Sequence, residues 1–310
     1  VISNVFYTGL TVAGHSRTSW GDEDVLLASF TCDGTYRWSK LMGGGSADVA
    51  WSLRTDSIGG VYICSSLFSH HYAMHIDTDT TISTDPSGYR TMFLIKYDTS
   101  GALKWVTMPE ADTVGMSHAG VDWCVDVDFD NNGNVYMLAY VIPGLYGGSF
   151  VVPTAGYYIF KYSNAGAFIS ATPMQISITG TAPTLKMARD HSTGHYYITG
   201  TSSWSGSLYF NGIHITSPVF IGAFDQSGHL LWMHQNTSGY GSGFGRAVVD
   251  GAHNIYAAGM SQMYVTPDTF NSYVVNNTIS IYGNSPLVVK MDTNGNHIWA
   301  KNGSSNRATW

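Results

Sequence analysis

A polar turn closed by glycine, with an apolar run on each side, recurs five times along this chain. In residues 97–105 the pattern reads YDTSGALKW, and the other copies begin at Phe30, Tyr162, Phe224 and Met291. Asp, Ser or Asn followed by Gly between two apolar runs is a β-hairpin signal, and here the second run usually ends in Trp. Each copy therefore predicts two antiparallel strands joined by a tight turn.

The turn glycines are evenly spaced along the chain. They are separated by 67, 65, 62 and 67 residues, at positions Gly34, Gly101, Gly166, Gly228 and Gly295. Self-similarity at a nearly fixed period is typical of repeat architectures. Units of one type stack into a single body, so we expect one repeat domain rather than the two domains that 310 residues would suggest.

A second turn phrase lies between successive hairpins: an Asp, a Gly or Asn turn, and a β run that opens near an aromatic residue. It occupies residues 56–62, 130–136, 190–197 and 250–256, and it occurs without its Asp at residues 3–6. Asp and Asn side chains bond to nearby backbone groups in turns, and Gly takes a positive φ without strain. Each repeat is therefore predicted to hold two hairpins and about four strands.

In the second repeat the strands are predicted at residues 49–55, 61–65, 92–97 and 103–107, with a variable connection after the second strand. The third-strand runs are almost continuously apolar, which is typical of strands buried on both faces of a sheet. Four-stranded antiparallel units repeated radially are the blades of a β-propeller. We predict an all-β fold, a single β-propeller of about five four-stranded blades. A β-solenoid, whose repeats are usually shorter, is the alternative.

One propeller is expected to cover residues 1–310, with one blade shared between the N- and C-terminal segments. Residues 302–310 resemble residues 43–51, where the next repeat starts, so the C-terminal segment is predicted to supply an inner strand. Two arrangements stay open: this strand seals the chain's own ring, or it enters a neighbouring copy and propagates a filament. The predicted blades are residues 303–310 with 1–42, then 43–112, 113–178, 179–238 and 239–302.

Composition and charge limit the classes of partner that such a fold is expected to bind. Charged residues make up 11% of the chain, aromatic residues 14%, and the formal net charge is −7. Nucleic acids and anionic membranes need concentrated positive charge, so neither is an expected partner. No run of about 18 apolar residues occurs, which predicts no membrane span.

The cysteines say little about the redox compartment. Cys32, Cys64 and Cys124 allow at most one intrachain disulfide and exclude a dense disulfide framework. Low Lys content, abundant Ser, Thr, Gly and Tyr, and three glycosylation sequons favour an exported protein.

Five segments around the second repeat carry a family resemblance. They are WSKLMGG at 38–44, ADVA at 47–50, DSIG at 56–59, VY at 61–62 and FLIKYDTSG at 93–101. Together they resemble the bacterial secreted β-propeller repeat family, often abbreviated SBBP, and similar phrases cover essentially the whole chain. Members of that family are mostly exported or cell-surface proteins, so the resemblance implies location and architecture more than chemistry.

The third copy departs from this pattern, with Ile169 and Ser170 at the step where Trp is expected. Quinoprotein propellers repeat a similar aromatic-Asp-x-x-Gly-x-x-x-Trp phrase. Those enzymes carry more blades and hold their quinone with a stacking aromatic and a calcium cluster. This chain has five copies of the phrase and no evident stacking aromatic or calcium cluster for a quinone. A quinoprotein-like enzyme is therefore the least favoured interpretation.

The most suggestive carboxylates are Asp122, Asp126, Asp128 and Asp130, in VDWCVDVDFDNNGN. Alternation along a strand would put Asp126, Asp128 and Asp130 on one face, within reach of a hard cation. These three are the predicted Ca²⁺ ligands, with loop carbonyl oxygens completing the site, and no other cofactor is predicted. The alternative is a solvated acidic strand lining a channel, in which Asp130 is simply the turn residue of its repeat.

A second polar cluster lies in the connection of the second repeat. Imidazole and carboxylate side chains alternate there and suggest a transition metal: His71, His75, Asp77 and Asp79, with His70 beside them. No Cys-x-x-Cys or His-Glu-x-x-His frame supports this interpretation, and long polar connections in propellers are usually exposed loops.

No catalytic site is predicted. Glutamate occurs only at Glu23 and Glu110, Gly-x-Ser-x-Gly is absent, and the Gly-rich runs lack the Lys-Ser/Thr of a phosphate loop. Aromatic residues in the variable connections are expected to be exposed recognition residues: Trp20, Tyr72, Tyr146, Trp204, Tyr264 and Tyr282.

These patterns favour an extracellular or cell-surface, non-enzymatic, structural or adhesive module, in which head-to-tail assembly into a fibre is one arrangement. Its expected partners are other copies of itself or surface proteins. A carbohydrate-binding propeller, with glycans as partners, is the alternative. Differences between the connections of successive repeats favour a protein surface over a lectin, because a multivalent lectin would tend to repeat its pocket.

Overall fold

A computed structural model describes residues 2–6, 10–45, 47–68, 73–82, 90–109, 122–180, 184–200, 206–236, 241–262, 268–270, 273–275 and 284–303. The regular elements in these ranges are all β-strands, and they pair antiparallel in many sheets. The all-β prediction is confirmed. These ranges contain no helix of the length and apolarity that a membrane crossing requires.

The chain divides into two compact units, Val1–Ala171 and Thr172–Trp310. The first unit begins with a five-stranded sheet in the order β1-β4-β5-β8-β9, and β2 pairs with β3. These strands are β1 (Ile2–Phe6), β2 (Leu10–Val12), β3 (His15–Arg17), β4 (Glu23–Phe30), β5 (Tyr36–Gly43), β8 (Met74–Ile76) and β9 (Thr80–Ile82).

Two four-stranded sheets follow in chain order, β11-β10-β7-β6 and β12-β13-β16-β17, and β14 pairs with β15. Their strands are β6 (Val49–Thr55), β7 (Val61–Phe68), β10 (Arg90–Tyr97), β11 (Leu103–Thr107), β12 (Trp123–Phe129), β13 (Val135–Val141), β14 (Gly144–Tyr146), β15 (Phe150–Val152), β16 (Gly156–Tyr162) and β17 (Phe168–Pro173).

The second unit has a four-stranded sheet β19-β20-β23-β24, a sheet built on β25-β27-β30-β31 with β26 on β27, and two smaller sheets. The strands are β18 (Ile176–Thr179), β19 (Leu185–Arg189), β20 (Tyr196–Gly200), β21 (Ser207–Phe210), β22 (Ile213–Ile215), β23 (Phe220–Phe224), β24 (Leu230–Gln235), β25 (Gly241–Phe244), β26 (Val248–Val249), β27 (Ile255–Gln262), β28 (Asp268–Phe270), β29 (Tyr273–Val275), β30 (Asn284–Met291) and β31 (His297–Asn302).

The repeated glycine turns adopt the predicted geometry. All five turn glycines have a positive φ, between 79° and 85°. In the second repeat the amide of Asp98 bonds to the carbonyl of Ala102 at 3.0 Å, and Gly101 bonds back to Asp98 at 3.0 Å. The turn therefore needs a residue without a Cβ at the glycine position, because L side chains rarely adopt this backbone conformation.

The third-strand runs are buried on both faces, as their apolar sequences predict. In β10 the side chains of Phe93, Leu94 and Ile95 have no solvent exposure, and every residue of β23 is buried. These strands lie between two neighbours in their sheets, so their side chains pack on both sides of the sheet rather than alternating with solvent.

The predicted four-stranded units are present as four-stranded antiparallel sheets, and the variable connections add a third, shorter hairpin. These short hairpins are β2-β3, β8-β9, β14-β15, β21-β22 and β28-β29. The turn of β21-β22 is Asn211-Gly212, with φ of 47° and 78°, the left-handed pair that a two-residue type I′ turn requires.

Three of the third hairpins bond to the backbone of the preceding repeat. β8 pairs with the end of β5 through Met42 and Ile76, and β21 pairs with β18 over its four residues. Asn236, which follows β24, forms a bridge with Phe270 of β28. Backbone hydrogen bonds therefore link consecutive repeats, in addition to side-chain packing.

Each of four third hairpins also places large apolar side chains in the core. The fully buried ones include Ile76, Tyr146, Phe210 and Phe270. Ile76 packs with residues of β4, β5, β7 and β10 in one cluster. The connections are therefore part of the core rather than exposed polar loops.

Cys64 in β7 and Cys124 in β12 form a disulfide, with their Cα atoms 6.1 Å apart. Cys32 is a free, exposed cysteine in the first glycine turn. This arrangement matches the limit of one intrachain bridge set by three cysteines. The predicted inner strand at residues 303–310 lies, apart from Gly303, outside the described residues.

Candidate functional site

The predicted calcium ligands lie in and after β12, and protein groups bond to each of them. Asp126 is fully buried, accepts a hydrogen bond from the hydroxyl of Ser52, and lies 3.4 Å from Nη2 of Arg54. Asp128 accepts the amide of Phe129 at 2.9 Å. A bulge between Cys124 and Asp126 interrupts the strand alternation beside this set.

Asp130 closes the turn of its repeat. Its carboxylate accepts the amides of Asn132 and Asn134, each at 2.9 Å, and the hydroxyl of Tyr136 at 3.1 Å. Burial opposes ionisation, but the hydrogen bonds from Asn134 and its neighbours hold the pKa of Asp130 below its usual value. Among the described residues no three His, Cys, Asp or Glu side chains are grouped as metal ligands. Calcium at Asp126, Asp128 and Asp130 stays a prediction.

The same carboxylate arrangement recurs in other repeats, which explains why an Asp stands at this position. We call it the Asp–Tyr clasp: the carboxylate bonds to the amides two and four residues ahead and to the tyrosine hydroxyl six residues ahead. The hydroxyl distances are 2.8 Å for Asp56–Tyr62 and 2.9 Å for Asp250–Tyr256. A role for Asp130 in shaping the turn is therefore common to these repeats.

The fourth repeat lacks the tyrosine half of the clasp. Its turn is one residue longer, so Tyr197 takes the place of Tyr62, and the Tyr197 hydroxyl is buried without a hydrogen-bond partner. The carboxylate of Asp190 instead accepts a bond from Nδ1 of His253 at 3.0 Å. His253 belongs to the next repeat, so this carboxylate links two repeats.

The polar cluster of the second repeat is divided among different partners. Lys40 lies 3.2 Å from the carboxylate of Asp77 and 2.9 Å from that of Asp79. The ring of His75 stacks on Trp20 at 4.8 Å. His70 and His71 lie outside the described residues.

The expected recognition aromatics have two different outcomes where they are described. Tyr146 is fully buried, and its hydroxyl donates to Asp122 at 2.7 Å. Its predicted exposure is wrong because it belongs to a third hairpin that faces the core. Trp20 is 40% exposed. The others lie outside the described residues: Tyr72, Trp204, Tyr264 and Tyr282.

The repeated tryptophans pack on the glycine turn of the following repeat. The indole nitrogen of Trp38 donates to the carbonyl of Thr99 at 2.9 Å, and the ring covers Gly101 so closely that a Cβ there would lie 2.8 Å from it. Trp105 has the same relation to the turn at Gly166, with its donor bond to Asn164 at 3.0 Å. We call this contact the indole–turn contact.

The second unit contains one further indole–turn contact and one substitute for it. Trp232 donates to the carbonyl of Thr293 at 2.9 Å and covers Gly295. The turn at Gly228 receives backbone instead: a Cβ there would overlap the carbonyl oxygen of Pro173. The amide of Gln175 also bonds to the carbonyl of Gly228 at 2.9 Å.

The first and last copies of the phrase each present one half of an indole–turn contact. No described atom lies within 4 Å of a Cβ built at Gly34, so among the described residues none covers the first turn. Trp299, on β31, is 37% exposed and meets Tyr256 edge to face at 6.1 Å. In the three complete contacts a tryptophan ring covers a glycine turn of this kind. The turn at Gly34 and the indole of Trp299 therefore have the shapes of the two halves of one such contact.

Two carboxylates that the sequence did not single out converge over Gly43. A Cβ built at Gly43 would lie 2.6 Å from Oδ2 of Asp48 and closer still to Oδ1 of Asp24. Both aspartates have no solvent exposure. The signal available in the sequence was the run GGGSAD at 43–48, because consecutive glycines mark a place where other atoms approach the backbone closely.

No family model matches the chain, and no curated protein matches it. A solved structure, that of a protein of unknown function from Bacteroides caccae at 1.35 Å resolution, is similar over 92% of this chain and 90% of its own, at 9% identity and a TM-score of 0.35. Similarity at this level supports no argument about fold or function.

Proposed function

We propose that the chain is an extracellular structural or adhesive module of five β-propeller blades, without catalytic activity, that joins other copies of itself head to tail. The observation that carries the proposal is the pair of unmatched halves of the indole–turn contact. The uncovered turn at Gly34 and the exposed Trp299 come from the first and last copies of the repeated phrase. A contact of this kind between successive copies would not close on itself and would propagate as a fibre.

The expected geometry of the joint follows from the complete contacts. In the second repeat the carbonyl of Thr99 accepts both the indole of Trp38 and Nη2 of Arg37, the latter at 2.8 Å. Cys32 occupies the position of Thr99 in the first turn, and Ile298 occupies the position of Arg37 before the last tryptophan. The proposal therefore places Ile298 of one copy beside Cys32 of the next.

The Cys64–Cys124 disulfide supports an extracellular location. Disulfides persist in oxidising compartments and are rare in the reducing cytosol. The resemblance to the secreted β-propeller repeat family supports the same location.

Disulfide trapping tests the joint. Ile298 is 49% exposed, so Ile298→Cys should leave the fold intact and give a ladder of covalent oligomers under mild oxidation through Cys32. Leu231→Cys is the matched control, because Leu231 holds the same place in the fourth repeat and is 46% exposed. A crosslink confined to single chains would show that the two halves meet within one chain, and the fibre proposal would be wrong.

Electron microscopy and light scattering provide the second measurement. Wild-type protein should form regular filaments with one module per rise, and Trp299→Ala should shift it to dispersed monomers. Dispersed wild-type monomers across a wide concentration range would refute self-assembly.

A carbohydrate-binding role is the second candidate, and Trp20 is the observation in its favour. Its ring is 40% exposed and is held against His75, and exposed, oriented indoles bind sugar faces. A glycan array followed by Trp20→Ala tests this role. Sub-millimolar binding to a defined sugar that disappears in W20A would replace the structural proposal.

A further inference from the structure

One carboxylate oxygen in the first unit is buried without a partner. Asp24 stands in β4 with no solvent exposure. Its Oδ2 accepts the amide of Trp20 at 2.7 Å, whereas its Oδ1 has no hydrogen-bond partner. Burial of an ionised oxygen without compensation is costly, so a native protein normally supplies a donor or a cation.

The unpartnered oxygen points toward a second buried carboxylate. Oδ1 of Asp24 and Oδ2 of Asp48 approach the same point above the α-carbon of Gly43. The chain holds Asp48 firmly there, because its carboxylate accepts the amide of Gly44 at 2.8 Å and its own amide bonds to the carbonyl of Glu23 at 2.6 Å. Only glycine fits at position 43, since any Cβ would occupy the space between the two carboxylates.

We propose that Asp24 and Asp48 form a binding site for a divalent cation of the calcium class, over Gly43 at the end of β5. Hard cations take several oxygen ligands, from carboxylates, backbone carbonyls and water. The two aspartates supply the charged ligands, and backbone carbonyl oxygens and water would supply the neutral ones. This site is separate from Asp126, Asp128 and Asp130, and it does not depend on self-assembly.

Two buried carboxyl groups that face each other over Gly43 favour a bound positive charge between them. Burial raises the pKa of Asp24 to about 6, against which the bond from the Trp20 amide acts only weakly. The oxygen of Asp24 that has no donor lies beside this second buried carboxyl group. A divalent cation stabilises both carboxylates in their ionised form and brings the unpartnered oxygen into coordination.

Calcium titration of the chelator-treated full chain tests the site. Saturating Ca²⁺ should raise the midpoint of thermal unfolding of the wild type by about 5 °C. Asp24→Asn should abolish that rise, because the amide keeps the Trp20 bond but lacks the charge. Tb³⁺ bound at the site should show luminescence sensitised by Trp20, and this signal should also disappear in D24N.

Asp33→Asn is the matched control, since it removes an exposed carboxylate of the first glycine turn and leaves Asp24 and Asp48 intact. D33N should keep the full thermal shift. The proposal is wrong if D33N loses the shift while D24N keeps it, or if Ca²⁺ changes neither the unfolding midpoint nor the Tb³⁺ signal of the wild type.

Unfolding of the D24N variant can be distinguished from the expected loss of its calcium shift. In the presence of chelator above pH 6, D24N should be more stable than the wild type, because it removes an uncompensated buried charge. Asp48→Asn provides the second variant, with the same loss of the calcium shift expected. A D24N protein that is folded by circular dichroism and still shows the wild-type shift would overturn the proposal.

Discussion

The turn at Gly228 and the turns at Gly101, Gly166 and Gly295 hold the same backbone geometry but are covered by different chemistry. Three of them receive an indole ring and its donor bond. The fourth receives the peptide segment from Pro173 to Gln175, and the side chain of Gln175 also accepts the amide of Leu230 at 2.9 Å. The glycine turn is therefore a fixed binding surface, and the group that covers it varies.

The fourth repeat is exceptional in a second way, since His253 replaces the tyrosine of the Asp–Tyr clasp at Asp190. In both cases a group contributed from elsewhere in the chain satisfies a turn that is otherwise unchanged. The turns thus share one geometry while their partners differ. Substitution of a turn glycine should lower the free energy of unfolding most where backbone, rather than a side chain, covers the turn.

Gly228→Ala should give the largest loss of stability. Its φ of 81° is strained for an L residue, and the new methyl group would overlap the Pro173 carbonyl, which cannot rotate away. We expect a loss of about 4 kcal/mol in the free energy of unfolding, from left-handed strain and overpacking together. Gly34→Ala has the same strain in open space and should cost about 1 kcal/mol. Equal losses of unfolding free energy in G228A and G34A, measured by urea denaturation, would show that the covering backbone adds no cost at Gly228.

Trp105→Ala tests an indole-covered turn. It removes a half-buried ring from the contact with Gly166 and Tyr62, and the carbonyl of Asn164 loses its indole donor while it keeps the Lys96 ammonium at 3.3 Å. We expect a loss of about 3 kcal/mol. Trp299→Ala, measured on monomeric protein, should cost less than about 1 kcal/mol, because that indole covers no described turn. A similar loss in both would show that the indole stabilises its own strand rather than the next turn.

Acid unfolding tests the carboxylate clasps. Bonds from Asn254 and neighbouring groups lower the pKa of Asp250 to about 2. A lowered folded pKa stabilises the protein above the unfolded value near 4, and this stabilisation disappears as the pH falls toward 2. Asp250→Asn should therefore flatten the fall in unfolding midpoint between pH 4 and pH 2.

Asp190→Asn sharpens that measurement in the exceptional repeat. Burial opposes ionisation there too, but bonds from Ser192 and Thr193 lower the pKa of Asp190. The same flattening is expected although the aromatic partner is His253 instead of a tyrosine. If the unfolding midpoint of D190N falls with pH as steeply as that of the wild type, the exchange of tyrosine for His253 has changed the electrostatics of the turn.

The smallest effect is expected for single hydroxyl groups. Tyr256→Phe removes a bond to Asp250 and should cost about 1 kcal/mol. Tyr197→Phe removes a buried hydroxyl without a partner and should be neutral or slightly stabilising. A loss in Y197F as large as that in Y256F would show that the fourth repeat satisfies this hydroxyl after all.

The sequence predicted the repeated turns because glycine and aspartate have strong local preferences there. The predicted strands at 49–55 and 103–107 agree with β6 and β11. The third hairpins were missed because most of their strands have three residues, too few to show alternation. Asn211-Gly212 carried a recognisable signal, but the turns of the other connections share no common dipeptide with it.

The candidate sites were harder to predict, because they depend on which distant residues meet. The charge pattern located Asp126 but not the contact with Ser52 and Arg54 from another repeat. Asp24 stands in the run Asp22-Glu23-Asp24, and only the folded chain brings it opposite Asp48. The difference between the turn at Gly34 and its covered counterparts becomes visible only in the folded chain.

The pairing of β8 with β5 has a consequence for biosynthesis. The ribosome delivers the first sheet up to Gly43 before residues 74–76 emerge, so the edge of β5 stays open until about half of the second repeat has been made. An open strand edge pairs readily with other chains, and nascent domains form from the N-terminus onward. Translation pauses inside a repeat should therefore promote aggregation more than pauses just after a third hairpin.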